Sequence, residues 1–257
     1  MDLGLRGKRA LVTGASKGIG RAIAQGLAAE GCDLILTARG AEALAATAAE
    51  IAQRHGVRVL HHALDLAQPA QQAALAERAG DVDILVNNAG AIPAGGIEEI
   101  DDTTLRQGWE LKLFGYIALM RLFYPRMAAR ESGVILNIMG TAGERVSGRL
   151  IALSGANAAL IAMTRALGGE APAHGVRVVG INPGGTATDR AIGLWRRHAQ
   201  DRLGDPGRWL EITSDLPFGR AAAPEEIANV AVFLVSQRAS YVSGTVVNVD
   251  GGGNSRP

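Results

Sequence analysis

Short, almost wholly apolar runs alternate along the chain with longer stretches in which alanine and polar residues are mixed. Parallel strands covered on both faces give apolar runs of this kind. The runs predict seven strands, at residues 9–12, 33–37, 57–61, 84–87, 134–138, 176–181 and 246–249. The intervening stretches predict helices at residues 18–30, 41–55, 69–79, 103–130, 151–171 and 224–236. This alternation predicts a doubly wound α/β fold, with helices on both faces of the sheet in three α/β/α layers.

The alternation runs from end to end without a linker, a composition break or a repeat of fixed period. We therefore expect residues 1–257 to form a single domain. Residues 186–219 depart from the pattern and hold two of the three tryptophans. They follow the sixth predicted strand, and ligands of open α/β sheets bind outside the carboxyl ends of the strands. We interpret this segment as an inserted lid over the substrate.

Composition argues against several classes of protein. The 26 basic and 25 acidic residues leave a net charge of +1 and form no basic stripe, which argues against nucleic-acid binding. The single cysteine, Cys32, cannot form an internal disulfide, and the five histidines lack metal-ligand spacing. No apolar leader opens the chain, and polar residues interrupt the apolar stretch 150–167. We expect a cytoplasmic protein with no metal site and no membrane span.

A glycine-rich loop joins the first predicted strand to the first predicted helix. Residues 13–20 read TGASKGIG, with glycines at positions 14, 18 and 20. Glycines let the backbone approach a pyrophosphate, and a helix N-terminus offers free N–H groups and partial positive charge. Because the loop lies between a strand and a helix, it predicts a dinucleotide phosphate site.

The loop resembles the TGxxxGxG loop of the classical short-chain dehydrogenase/reductase family. Residues 87–90, NNAG, and 182–188, NPGGTAT, resemble that family's next motifs, and residues 243–252 resemble its last strand and turn. The resemblance spans residues 5–252 and implies a Rossmann-like, seven-stranded parallel sheet, a nicotinamide dinucleotide and a homotetramer. The cofactor-binding residues that it implies are Gly14, Ser16, Lys17, Gly18, Ile19, Gly20, Arg39, Asp65, Leu66, Asn88, Ala89, Gly90, Pro183, Gly184, Thr186 and Thr188.

The end of the second predicted strand bears on which nicotinamide cofactor is used. Sites for NAD place an acid there, to accept hydrogen bonds from the ribose 2′-hydroxyl. Here the segment reads Thr37-Ala38-Arg39-Gly40, and the first acid is Glu42. Arg39 and Lys17 are instead suited to a 2′-phosphate, although both could be ordinary surface cations. We expect NADP(H).

The four positions that carry the family's chemistry all depart from its pattern. By resemblance, Gly140 takes the place of the serine, Leu153 of the tyrosine, Asn157 of the lysine and Lys112 of the helical asparagine. Lys112 is the only ionisable residue among them. We therefore name Lys112 as the candidate proton donor, with a pKa depressed toward 7–8, and Asn157 as the residue that orients it.

Three readings follow from this mismatch. The first is an NADP(H)-dependent oxidoreductase with a rebuilt proton donor, and the second is a non-catalytic nucleotide-binding or assembly subunit. The third is a reductase of C=C bonds, in which hydride transfer tolerates a more distant acid. Apolar residues of the segment 186–219 favour a small or medium apolar carbonyl substrate. These residues are Trp195, Leu203, Trp209, Leu210 and Phe218.

Overall fold

A computed structural model describes residues 1–256. Its seven parallel strands form one sheet in the order β3-β2-β1-β4-β5-β6-β7. The strands are β1 Arg9–Thr13, β2 Asp33–Ala38, β3 Val59–Ala63, β4 Ile84–Asn87, β5 Gly133–Ile138, β6 Val176–Pro183 and β7 Val246–Val249. The strand order reverses between β1 and β4, where the crevice of a doubly wound sheet opens. The predicted Rossmann-like sheet is confirmed.

The helices cover both faces of this sheet. They are α1 Gly18–Ala29, α2 Ala41–His55, α3 Pro69–Ala79, α4 Asp102–Trp109, α5 Gly115–Ala129, α6 Ile151–Glu170, α7 Asp189–Leu203, α8 Trp209–Ile212 and α9 Pro224–Val235. Alternate strand residues face opposite layers. Val12 packs in the apolar cluster that includes α1, α2 and α9, whereas Leu11 packs in the cluster that includes α3 and α5.

Two predicted elements differ from the structure. The strand predicted at 57–61 lies at Val59–Ala63, because this edge strand is half-exposed and its apolar pattern is weak. The single helix predicted at 103–130 is divided by a π-helical turn, Glu110–Phe114, between α4 and α5. A π turn accommodates an extra residue without ending the helix, so the apolar pattern on either side stays helical.

The stretch Ile151–His174 is long and apolar enough to cross a membrane by length and composition alone. In the structure, its helix α6 packs beside the sheet, and Ala156, Leu160 and Ile161 lie in a buried cluster. Burial against protein accounts for the apolar residues on this face of the helix.

Candidate active site

A cavity of about 810 Å³ opens at the carboxyl ends of the central strands. It continues beneath the first turn of α7, which belongs to the predicted lid. Both predicted groups of site residues contribute to its walls, since Lys112 from the catalytic pair and most of the cofactor set line it. The cofactor set represented is Gly14, Ser16, Lys17, Gly18, Ile19, Arg39, Leu66, Asn88, Ala89, Gly90, Pro183, Gly184, Thr186 and Thr188.

The glycine loop is clamped by Asn88 at the end of β4. The Asn88 side-chain amide donates to the carbonyl oxygens of Thr13, at 2.9 Å, and Gly14, at 3.3 Å. The Thr13 hydroxyl accepts from the backbone N–H groups of Asn88 and Ala89, at 2.8 and 3.0 Å. A Cβ on Gly14 would lie 2.9 Å from the Asn88 amide nitrogen, and the φ of Gly14 is +65°. Only glycine satisfies both demands at this position.

Two of the expected cofactor residues lie outside the cavity lining. Gly20 is buried, and a Cβ there would collide with the Asn88 side chain and the Gly14 carbonyl oxygen. It lets α1 pack against the loop. Asp65 uses its carboxylate to accept the N–H of Ala67 at 3.1 Å, within the turn that follows β3.

The start of α1 meets the requirements of a dinucleotide phosphate. Its N-cap residue, Lys17, is extended and provides no side-chain cap, so the N–H groups of the first turn are free of a side-chain acceptor. Lys17 and Arg39 are exposed on the cavity wall, and within residues 1–256 neither forms an ion pair. Among residues 1–256, Asp189 of α7 is the only acidic residue that lines the cavity. These residues fit a nicotinamide dinucleotide that carries a 2′-phosphate.

Lys112 lies in the π-helical turn, and its side chain is buried. Its Nζ donates to the carbonyl oxygen of Ile138 at 2.6 Å and to the Tyr116 hydroxyl at 3.0 Å. A third and longer contact, 3.4 Å, reaches the carbonyl oxygen of Met139. The Tyr116 hydroxyl donates to the same Ile138 oxygen at 2.9 Å. The end of β5 and the first turn of α5 thus hold the ammonium at the cavity wall.

Burial and, to a smaller extent, the positive charge of Arg190 together lower the pKa of Lys112 from its ordinary 10.5 to about 7. Burial does so because it removes the water that stabilises an ammonium. The sequence did not indicate Arg190, whereas the spacing of four residues puts Tyr116 one helical turn beyond Lys112. Arg190 donates to the carbonyl oxygens of Gly90 and Ile92, at 3.2 and 2.5 Å, and the Lys112 side chain lies against Gly90 of the same loop.

Asn157 does not orient Lys112, contrary to our expectation. Its side chain is fully buried, and its amide nitrogen lies 3.5 Å from the carbonyl oxygen of Gly140. Gly140 has a φ of +146°, and a Cβ there would lie 3.1 Å from that same nitrogen. The hydrogen bonds of the ammonium go to Ile138, Tyr116 and Met139 instead. Asn157 supports the turn at Gly140 rather than the proton donor.

The predicted lid supplies one side of α7 to the cavity. Ala191, Leu194 and Trp195 line it, at the spacing of neighbouring positions on one helix face. Trp195 stacks on Trp209, with ring centroids 6.0 Å apart and planes 5° apart. The other apolar lid residues named from the sequence lie off the lining. They are Leu203, Trp209, Leu210 and Phe218.

Known proteins resemble the chain over its whole length. Residues 14–254 match the family model described as enoyl-(acyl carrier protein) reductase. A solved structure described as a short-chain dehydrogenase/reductase family protein is 38% identical to this chain and has a TM-score of 0.85. The match covers 100% of both chains. The chain belongs to the short-chain dehydrogenase/reductase family. The predicted family and its class, oxidoreductase, are confirmed.

Individual members of this short-chain dehydrogenase/reductase family reduce or oxidise different compounds. Galactitol 2-dehydrogenase (L-tagatose-forming) of Cereibacter sphaeroides is 37% identical over 250 residues, which cover 96% of this chain and 95% of that protein. L-Sorbose reductase from Gluconobacter frateurii, solved with NADPH and L-sorbose, has a TM-score of 0.94 at 35% identity and full coverage of both chains. The 7α-hydroxysteroid dehydrogenase of Escherichia coli K12 is 33% identical over 258 residues, which cover 98% of this chain and 96% of that protein.

Proposed function

We propose that this chain interconverts a carbonyl compound and its alcohol with NADP(H), and that Lys112 carries the proton in place of the family's phenol. The observation that supports this is the buried Lys112 ammonium on the cavity wall, with a pKa near neutrality. General acids and bases work best with a pKa close to the operating pH. The other three positions, Gly140, Leu153 and Asn157, have no ionisable group.

The charge of the cavity supports NADP(H). Lys17, Arg39 and Arg190 line it together with Lys112, against the single carboxylate of Asp189 among residues 1–256. A 2′-phosphate adds charge that two free cations near β2 can pair. The bound NADPH of L-sorbose reductase agrees with this choice.

When bound, NADPH supplies a hydride to the carbonyl carbon of the substrate. The chain supplies the proton from Lys112 Nζ, whose longest hydrogen bond, 3.4 Å to Met139, is the one given up to the substrate oxygen. The bonds to Ile138 and Tyr116 hold the nitrogen in place meanwhile. The neutral amine then takes a proton from solvent, and alcohol oxidation runs through the same steps in reverse.

Reduction of a C=C bond conjugated to a carbonyl is the second candidate, supported by the description of the matching family model. The Lys112 ammonium would then stabilise the enolate oxygen, and the carbonyl would survive in the product. Mass spectrometry and NMR of the product from an enone distinguish a saturated ketone from an allylic alcohol.

The test of Lys112 is a comparison of two lysine variants in NADPH oxidation with ketones and enones. Lys112→Met should lower turnover by about 10²–10⁴-fold, the usual contribution of a general acid. NADPH affinity should stay unchanged. Lys8→Met is the matched control, because Lys8 lies away from the cavity and pairs with Asp83. A loss of only a few-fold in Lys112→Met would exclude Lys112 as the donor, and an inactive wild type would favour the non-catalytic reading.

A further inference from the structure

Most of the side chains that line the cavity from α7, from the Lys112 turn and from the segments around them are apolar. They are Leu111, Ile138, Met139, Leu153, Leu194 and Trp195, with Ala91 and Ala191, and the charged residues among them are Lys112, Asp189 and Arg190. Apolar walls favour an apolar ligand, because the burial of matching surface removes both from water.

The cavity has few neutral hydrogen-bonding side chains, and the two that belong to the lid segment each already form one hydrogen bond. The Thr186 hydroxyl donates to the carbonyl oxygen of Gly184 at 3.1 Å. The Thr188 hydroxyl caps α7 and accepts from the N–H of Ala191 at 3.3 Å. Within residues 1–256 the full set of Ser, Thr, Asn, Gln, His and Tyr side chains on the lining is Ser16, Thr37, Asn88, Thr186 and Thr188.

The charged groups near the lid provide little for a polyhydroxylated substrate. Arg190 is held by the carbonyl oxygens of Gly90 and Ile92. Asp189 is exposed in the first turn of α7, where the helix dipole attracts its charge. Hydroxyl groups that lose water without gaining partners weaken binding. Beyond the Asp189 carboxylate and the Thr188 hydroxyl, the hydroxyls of a sugar would find few side-chain partners on this part of the lining.

Trp195 is the largest side chain on this apolar lining, and the structure fixes its orientation. The parallel stack with Trp209 joins α7 to α8, so the indole that lines the cavity is held in place by a second indole. A flat aromatic wall that is already ordered costs little entropy when it packs against a flat ligand.

We propose that Trp195 determines specificity, and that it selects a flat, apolar ring ketone (a cyclic or aryl ketone) over a ketose. This inference rests on the proposed function and names its substrate class. The carbonyl carbon gains the hydride of NADPH and the carbonyl oxygen gains the proton of Lys112. The products are a secondary alcohol, NADP⁺ and a neutral amine that solvent reprotonates.

The experiment compares α-tetralone with L-sorbose as substrates for the wild type and three variants. The wild type should use α-tetralone with a kcat/KM at least about 100-fold higher. Trp195→Ala should lower kcat/KM for α-tetralone about 10- to 100-fold, mainly through KM, because a buried aromatic contact is lost. Trp195→Phe should retain most of the activity. Leu210→Ala is the control, since Leu210 is an exposed residue of the same lid that does not line the cavity.

Equal or better use of L-sorbose by the wild type would overturn the inference, as would a Trp195→Ala variant that behaves like wild type. If the wild type turns over neither compound, the result counts against the proposed function and leaves the inference about Trp195 to a binding experiment. Calorimetric binding of α-tetralone to the NADP⁺-loaded protein then decides the inference. Binding that Trp195→Ala weakens by about tenfold or more supports it, and absent or unaffected binding refutes it.

Discussion

The folded state holds Lys112 at a cost that changes with pH, and this gives a test of the site that needs no substrate. In the unfolded chain the amine has its ordinary pKa of 10.5, whereas burial lowers it to about 7 in the folded chain. Below pH 7 both states carry the ammonium, and folding bears the full cost of burying it. Between pH 7 and 10.5 the folded chain has released a proton that the unfolded chain keeps. Stability contributed by this residue therefore rises with pH across that window.

The size of the effect follows from the shift. Each pKa unit corresponds to about 1.4 kcal/mol, so the whole shift is worth about 5 kcal/mol. Between pH 7 and 9 the free energy of unfolding should rise by about 2 kcal/mol through Lys112 alone, since the residue is half titrated at the lower limit. Lys112→Met removes the titrating group, while the Tyr116 hydroxyl can keep its bond to Ile138. The variant should lack this rise.

Urea unfolding of both proteins, at one chain concentration and at several pH values, measures the difference. Other titrating groups affect both curves alike. Among them is Cys32, whose pKa burial raises from 9.0 to about 12. The folded chain keeps its thiol proton longer than the unfolded chain, so Cys32 lowers stability above pH 9 in wild type and variant equally. Parallel curves between pH 7 and 9 would show that Lys112 has an ordinary pKa, and would remove the physical basis for its role as proton donor.

Three further predictions concern the cofactor, the lid and the assembly. In calorimetry, Arg39→Gln should weaken NADPH binding about tenfold or more and leave NADH affinity unchanged. The control Arg54→Gln, at an exposed position on α2 away from the cavity, should leave NADPH binding unchanged. Equal losses of affinity for both cofactors in Arg39→Gln would contradict the 2′-phosphate assignment. Arg190→Leu should raise the pKa of Lys112, so that carbonyl reduction persists to higher pH than in wild type or in the control Arg197→Leu; an unchanged pH profile would exclude this coupling. Light scattering should give a homotetramer, four chains of 26.6 kDa, whereas a monomeric mass would refute the assembly expected from the resemblance.

The fold was largely predictable because buried parallel strands leave a strong local signal. Apolar runs located the central strands, and the glycine loop identified where β1 meets α1. The edge strand β3 was misplaced by two residues because its exposed face carries His61 and mixed polarity. The π-helical turn Glu110–Phe114 was missed because its flanks have ordinary helical patterns. One extra residue inside a helix leaves no periodic trace over so short a span.

The candidate site was predictable only where local sequence determines geometry. The cofactor loop met this condition, whereas Lys112 was named as a candidate because the other three family positions lack an ionisable group. Tyr116, which accepts a hydrogen bond from Lys112, lies four residues further along the helix. Sequence alone could not distinguish this hydrogen bond from packing of Tyr116 in the core. Arg190 and the partner of Asn157 depend on how the lid and the turn at Gly140 are packed. Such contacts between distant segments have no local signal.

The conformation of Gly140 has a consequence for any attempt to restore the family's usual residues. Serine at this position would have to adopt a φ of +146°, a region that side-chain-bearing residues avoid, with its Cβ 3.1 Å from the Asn157 amide. Replacing Leu153 by tyrosine would leave this turn untouched, and replacing Asn157 by lysine would place a longer side chain in a fully buried position. The reversions at Gly140 and Asn157 are therefore disfavoured one at a time, because these two residues contact each other. The backbone conformation at Gly140 therefore opposes a stepwise return to the family's usual residues. An engineer would have to rebuild this turn together with its neighbours rather than one residue at a time.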